Sequence, residues 1–301
     1  MIILFTTPLL SFAQPGKIFC GQGYSEGVYV YDAATLDSIA YIDGAGGYRM
    51  VLSPDGSKIY STGGDENVFV IDPVNNALLR MFDPSVPMQF TYELEGITIS
   101  PDGKYLYVFD EYDPALFVII TENDSTVAVF TDDIFYEPEN CVITPDGNYL
   151  FMVDNNYVHK ISTTPLALVA SFPISGDAHG VAISKDGSKV YTEGSAGLYV
   201  FDASTLDTIK TVPGDGYFME ISANGTRLYA VDESKTLYVL DAAADTILAE
   251  ITLSQGEARG VTTNANSDVI FIATSSGMIR MDAGTFTETA TNTTRSVCGF
   301  L

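Results

Sequence analysis

The sequence predicts an all-β fold: a seven-bladed β-propeller of four-stranded antiparallel blades. Three observations carry this. A Ser/Thr-Pro-Asp-Gly turn followed by an apolar-aromatic pair recurs along the chain, an apolar run ending in Asp follows each turn, and the repeats keep one period. From Phe19 to Phe271, six intervals cover 252 residues, a mean of 42, which is the length of a propeller blade.

The turn is clearest at Ser53-Pro54-Asp55-Gly56 before Ile59-Tyr60, Ser100-Pro101-Asp102-Gly103 before Leu106-Tyr107, and Thr144-Pro145-Asp146-Gly147 before Leu150-Phe151. Ser184-Lys185-Asp186-Gly187 before Val190-Tyr191 is a variant, weaker forms end at Tyr229 and Phe271, and Pro15-Gly16 before Ile18-Phe19 lacks the first half. Pro fixes the first turn angle, Asp accepts backbone hydrogen bonds and Gly takes the left-handed position, so each turn joins two antiparallel strands. The third strand of each unit is apolar on both faces, as in Val68-Phe69-Val70-Ile71-Asp72 and Leu237-Tyr238-Val239-Leu240-Asp241. Such a strand must be covered on both sides, as stacked blades do. The closing Asp opens another turn, and a fourth, outer strand follows, for example 38–42 and 208–212.

The first unit lacks an innermost strand, and the last residues, Arg295-Ser296-Val297-Cys298-Gly299-Phe300-Leu301, match innermost strands such as His179-Gly180-Val181-Ala182-Ile183-Ser184. The expectation is a ring closed by the C-terminal strand joining the N-terminal blade, which removes exposed sheet edges. Residues 1–13 read as a signal peptide, apolar and ending on Ser11-Phe12-Ala13. Residues 14–301 then form a single propeller domain, expected to be monomeric and secreted, periplasmic or at the cell surface. No later apolar run is long enough to insert in a membrane.

The chain has 39 Asp and Glu against 14 Lys and Arg, a formal net charge of -25. That field repels phosphate backbones and anionic headgroups, so nucleic acid is excluded as a partner. The three cysteines, Cys20, Cys141 and Cys298, have no metal or redox spacing. Cys298 aligns with Ala182 and Cys20 with Thr192, and a tight hairpin pairing Ala182 near Val190 leaves them two positions apart. That is roughly 7 Å along a strand, where a disulfide needs Cβ atoms about 4 Å apart. Three free, largely buried thiols are expected.

The Ser/Thr-Pro-Asp-Gly hairpin, the apolar-Tyr pair and the run ending in Asp together resemble the repeat of YVTN-type propellers over nearly all of residues 14–301. The namesake tetrapeptide is only approximated, by Tyr107-Val108-Phe109-Asp110 and Tyr229-Ala230-Val231-Asp232. The resemblance implies a range of roles: surface-layer and cell-surface proteins, lactonase-like enzymes, and subunits of quinone- or haem-linked oxidoreductases.

Aligned units place one residue per blade at the top of the innermost strand, around the axial mouth: Tyr48, Glu95, Glu139, His179, Tyr217, Arg259 and Arg295. The next position carries Arg49, Asn140 and several glycines, Gly96 and Gly180 among them, read as room for a ligand beside the backbone. Such a mouth is the natural pocket of the fold. His179 and Glu139 are the candidate catalytic pair, with Arg259 and Arg295 as oxyanion partners in a lactonase-like hydrolase. No nucleophile elbow, metal-ligand spacing or phosphate loop accompanies them, so no metal and no cofactor are expected. The favoured expectation is a binding module for a protein, peptide or glycan, helped by Met88, Phe90, Tyr92, Phe135 and Tyr136 in the long loops at 83–96 and 131–140. His159, beside Lys160 in a third strand, reads as structural.

Overall fold

The computed structural model describes residues 10–11, 16–21, 27–63, 66–85, 93–112, 114–174, 176 and 178–293. Among the described residues, twenty-eight strands, β1 to β28 in chain order, form seven antiparallel sheets of four, each strand beside its sequence neighbour. The innermost strands are β1 (Leu10–Ser11), β5 (Met50–Leu52), β9 (Leu94–Ile99), β13 (Asn140–Ile143), β17 (Val181–Ile183), β21 (Phe218–Ile221) and β25 (Ala258–Thr263). Each lies against the innermost strand of the next blade, and β1 touches both β5 and β25, so the ring is closed.

The closure differs from the expectation. The innermost strand of blade one is β1, with Leu10 opposite Cys20 and Ser11 opposite Phe19 on β2 (Lys17–Gly21). It comes from the N-terminal segment that reads as a signal peptide, and the C-terminal residues 295–301 lie outside the described residues. Both segments are short and apolar, so pattern alone did not separate them. The thiol expectation is also corrected: Cys20 is disulfide-bonded and Cys141 is free. Cys298, the remaining cysteine, lies outside the described residues. The expected separation placed Cys298 on the innermost strand beside Cys20, a place that β1 holds with Leu10 opposite Cys20.

Burial follows strand position. Second and third strands such as β6 (Ile59–Thr62) and β7 (Val68–Asp72) are buried on both faces, while the outer β24 (Thr246–Thr252) alternates. The core therefore lies between blades rather than within them. Phe218, Tyr229 and Val239 of blade six pack with Val261, Ile270 and Ile272 of blade seven. Ile18 and Tyr31 of blade one pack with Phe271 and Met278 of blade seven across the closure. In every blade the pairing of third and fourth strands slips by one residue, a bulge that strengthens the twist each blade needs to stack.

The Pro-Asp-Gly hairpins lie on the bottom face and interlock. Ser53 Oγ donates to Asp55, which accepts from the Ser57 N–H, and Gly56 turns with φ +72°. A Cβ on Gly103 would meet the Pro54 ring at 3.2 Å, and one on Gly147 would meet Pro101 at 3.2 Å. The motif glycine thus serves its own turn and leaves room for the neighbouring blade's proline. Cations fasten six of the blade joints on this same face, each reaching the next blade's third-to-fourth turn. Lys17 donates to the Val74 carbonyl, Lys160 to Ser204 and Lys189 to Ala242, while Arg80 pairs with Asp124, Arg227 holds the Ala283 carbonyl and Arg280 that of Ala33.

Candidate functional site

Innermost strands start at the top face, so the residues at their heads converge on the axis. Tyr48, Glu95, Glu139, His179 and Tyr217 meet there. The Tyr48 hydroxyl donates to Glu95 Oε1 at 2.6 Å. The His179 ring stacks on Tyr217, with centroids 3.9 Å apart and planes 17° from parallel. His179 Nε2 lies 3.9 Å from Glu139 Oε1, and Nδ1 lies 3.4 Å from Glu193 Oε1. Glu193 also accepts the backbone N–H of His179 at 2.8 Å and, through Oε2, that of Gly216 at 3.3 Å. It therefore fixes the loops of blades five and six as well as the imidazole.

Arg49 floors this mouth. Its side chain leaves blade two, donates from Nη2 to the His179 carbonyl of blade five at 3.2 Å, and lies over the Phe218 ring of blade six at 5.5 Å. It is 1% exposed, and its Nε and Nη1 have no acceptor. A guanidinium that touches blades two, five and six crosses the axis, so the mouth is a cup closed below. The glycines of this level do not serve a ligand. A Cβ on Gly180 would lie 2.3 Å from the Gly216 carbonyl oxygen, and one on Gly96 would lie 3.3 Å from the Asn140 backbone. They let neighbouring blades approach.

The remaining sequence candidates separate. Arg259 is nearly buried, with Nη1 3.1 Å from Glu233 and Nη2 2.6 Å from Glu257, so its charge is already engaged. Asn140 is buried and caps the next N–H, that of Cys141, at 2.8 Å. Arg295, Met88, Phe90 and Tyr92 lie outside the described residues. Phe135 is buried edge-on against Phe109 and Phe130 and caps the core, whereas Tyr136 is exposed. His159 is structural as expected, fully buried between Ser171 Oγ at 2.7 Å and Asp154 Oδ2 at 2.8 Å. Lys160 sits over the Tyr149 ring at 4.2 Å.

Carboxyls from other strands, which the sequence reading passed over, complete the cup. Glu111 follows the second strand of blade three, Glu193 ends that of blade five, and Asp215 precedes β21. Glu93 and Glu95 stand two apart and so share a face. The Glu111 N–H donates to the Glu93 carbonyl at 3.1 Å, which sets Glu111 beside them. One carboxylate oxygen from each of Glu93, Glu95 and Glu111 lies within 4.8 Å of the others. The signal available in the sequence was Glu93-x-Glu95 facing Asp110-Glu111, legible only once the two strands are in register.

The crowding sets the charges. Burial, then the neighbouring Glu139 and Glu111, pushes the Glu95 carboxyl well above the usual carboxylate range. Burial likewise raises Glu139, lifts Glu111 to about 7, and with help from Glu193 lifts Asp215 to about 6. Burial opposes charge on both His179 and Glu193, but their mutual contact outweighs it, raising the imidazole and lowering the carboxyl. His179 and Glu193 thus favour each other's charged forms, and the other carboxyls crowd the same mouth. Glu95 Oε2 and Glu139 Oε2 are sealed from solvent without a hydrogen-bond donor.

No protein-family model and no curated protein matches this chain. What fold and site define together is a seven-bladed β-propeller carrying an acidic, arginine-floored axial cup.

Proposed function

We propose that this protein is an interaction module, a YVTN-like propeller at the cell surface or in the medium, whose axial cup takes up a positively charged group of its ligand. The observation that carries the reading is the pair of buried carboxyls, Glu95 and Glu139, each with one oxygen lacking a donor. A buried carboxyl oxygen without a donor is costly, and a ligand ammonium or guanidinium would supply the donor that each Oε2 lacks. Tyr217 and Tyr48 add aromatic walls of the kind that hold cations. The disulfide at Cys20 fits an oxidising compartment. A basic peptide is the ligand class this chemistry favours over a glycan.

Arrays of basic, neutral and acidic peptides, together with neutral glycans, test this. Basic peptides should bind the full chain, more weakly as salt rises, and Glu139→Gln should lose about tenfold, roughly 1.4 kcal/mol. Binding of glycans or acidic peptides alone, or of nothing, would overturn the reading. A second reading, lactonase-like hydrolysis with His179 as the base, draws on its contacts with Glu139 and Glu193. Engagement of Arg259 by two glutamates removes one of its oxyanion partners. Lactone turnover lost in His179→Ala would favour it, and equal background rates in both proteins would end it.

A further inference from the structure

Blade three adds two further carboxyls at the rim to Glu95, which the proposed function already uses. Glu93 and Glu111 are half-buried at the rim, and Glu95 continues the same group inward. Among the described residues no Lys, Arg or His forms an ion pair with any of the three. Arg49 acts on Glu95 from nearby but pairs with none of the three, so the carboxyls crowd one another, and on an open surface their side chains would turn apart. Here they are held. Glu93 and Glu111 are tied through the backbone hydrogen bond of their loops, and Glu95 by the Tyr48 hydroxyl on Oε1.

The independent observation is the other oxygen of Glu95. The residue is 2% exposed, and Oε2 has neither solvent nor a donor. Water does not reach it, and the Glu111 and Glu139 side chains that meet Glu95 are themselves carboxyls, which supply a donor only when protonated. We infer that Glu93, Glu95 and Glu111 form a calcium-binding site at the rim of the cup. Oxygens bound to one calcium ion at about 2.4 Å stand at most about 4.8 Å apart, a separation that these three carboxylate oxygens do not exceed. Magnesium holds its oxygens at about 2.1 Å and demands a regular octahedron, which three carboxylates from two strand ends do not supply. Calcium accepts irregular sets and bidentate carboxylates. Its two positive charges would also relieve the crowding of carboxyls around Glu95.

The inference shares the acidic face with the proposed function but needs no peptide, and the experiment keeps the two apart. Tyr112 adjoins the site: the charge on Glu111, then that on Glu93, holds its phenol above the ordinary value. It can therefore sensitise a bound terbium ion, the usual luminescent stand-in for calcium. The chelator-treated full chain is titrated with terbium, then with calcium or magnesium as competitor, and calcium binding is repeated by calorimetry. One ion per chain should bind, calcium should displace terbium at least tenfold better than magnesium, and calcium should raise the melting temperature. Glu111→Gln, a rim substitution, should weaken calcium at least tenfold while melting as the ion-free wild type does. His179→Ala should leave calcium binding unchanged. No saturable binding, equal competition by magnesium, or undiminished binding in Glu111→Gln would overturn the site. Should Glu111→Gln fold poorly, Glu93→Gln serves for the same comparison. Peptide arrays that stay silent while terbium binds would sink the peptide reading alone.

Discussion

Replacing Glu220 by Gln isolates the energetic consequence of one buried carboxyl. Glu220 lies on β21, facing blade seven, and is 3% exposed. Its Oε1 accepts from Thr262 Oγ1 at 3.0 Å and from the Thr263 N–H at 3.4 Å, while Oε2 has no donor. Burial pushes the carboxyl well above the usual range, and the two hydrogen bonds recover only part of this. Between the free value and the raised folded value, the folded chain binds one more proton here than the unfolded chain. Stability therefore falls as pH rises through that window, by at most about 1.4 kcal/mol per pH unit for one proton. Gln keeps the Oε1 acceptor and stands in for the neutral acid. Urea denaturation of both proteins, from about pH 5 upward, should show the stability difference moving in the variant's favour at up to about 1.4 kcal/mol per unit. It should level off above the folded value, where Glu220 is ionised in both states. Parallel pH profiles would refute the reasoning, because they would mean that Glu220 carries the same proton load folded and unfolded.

Three further outcomes follow from the packing. Gly103→Ala should cost about 1–2 kcal/mol, more than Gly44→Ala. Both need a left-handed backbone, but only Gly103 has a proline ring 3.2 Å from the added methyl; equal losses in urea melts would show that the interlock is idle. Lys189→Ala removes bonds to the Asp245 carboxylate at 2.7 and 2.8 Å and to the Ala242 carbonyl at 2.9 Å, so it should cost about 1–3 kcal/mol. Lys104→Ala, whose pair with Asp102 stands in solvent, should not change the same melt. Thiol titration of the unfolded chain should give one equivalent without reductant, from Cys141, and three after reduction; three before reduction would deny the disulfide at Cys20.

The fold was legible because its repeating parts are local. Pro54, Asp55 and Gly56 specify a hairpin within four residues, and Val68 to Ile71 announces a strand covered on both faces. What was lost depended on exact register. The pairing of Ala182 with Tyr191 differs by one residue from the expected hairpin, and Leu10 rather than a C-terminal residue stands opposite Cys20. The slip between Val30 and Tyr31, repeated in every blade, leaves no mark in composition. The ring of Tyr48, Glu95, Glu139, His179 and Tyr217 was legible because each precedes or opens an apolar innermost strand. Glu111, Glu193 and Asp215 were not, since they reach the cup from second strands and connecting loops. Arg49 was read as a ligand contact because a polar residue at a channel looks alike whether it lines the passage or plugs it.

The sign of the cup follows from how the blades are joined, not merely from the net charge. In five of the seven third-to-fourth turns an Asp carboxylate, that of Asp32, Asp72, Asp202, Asp241 or Asp282, accepts the N–H groups two and three residues on. The turn's carbonyls are left facing the neighbouring blade. Lys17, Lys160, Lys189, Arg227 and Arg280 meet such carbonyls, and Arg80 meets the Asp124 side chain in the same kind of turn. Lys58, Lys104 and Lys185 lie in or beside the bottom hairpins. With 14 Lys and Arg in the whole chain, this leaves little positive charge for the top face. Among the described residues there, Arg49 is sealed under the cup, Arg259 is held by Glu233 and Glu257, and Lys235 is exposed in the turn between the second and third strands of blade six. The carboxyls of blades three to six therefore meet at the axis with few countercharges, in a concave site whose protein walls screen poorly. A ring fastened by cations at the bottom becomes an attractor of cations at the top.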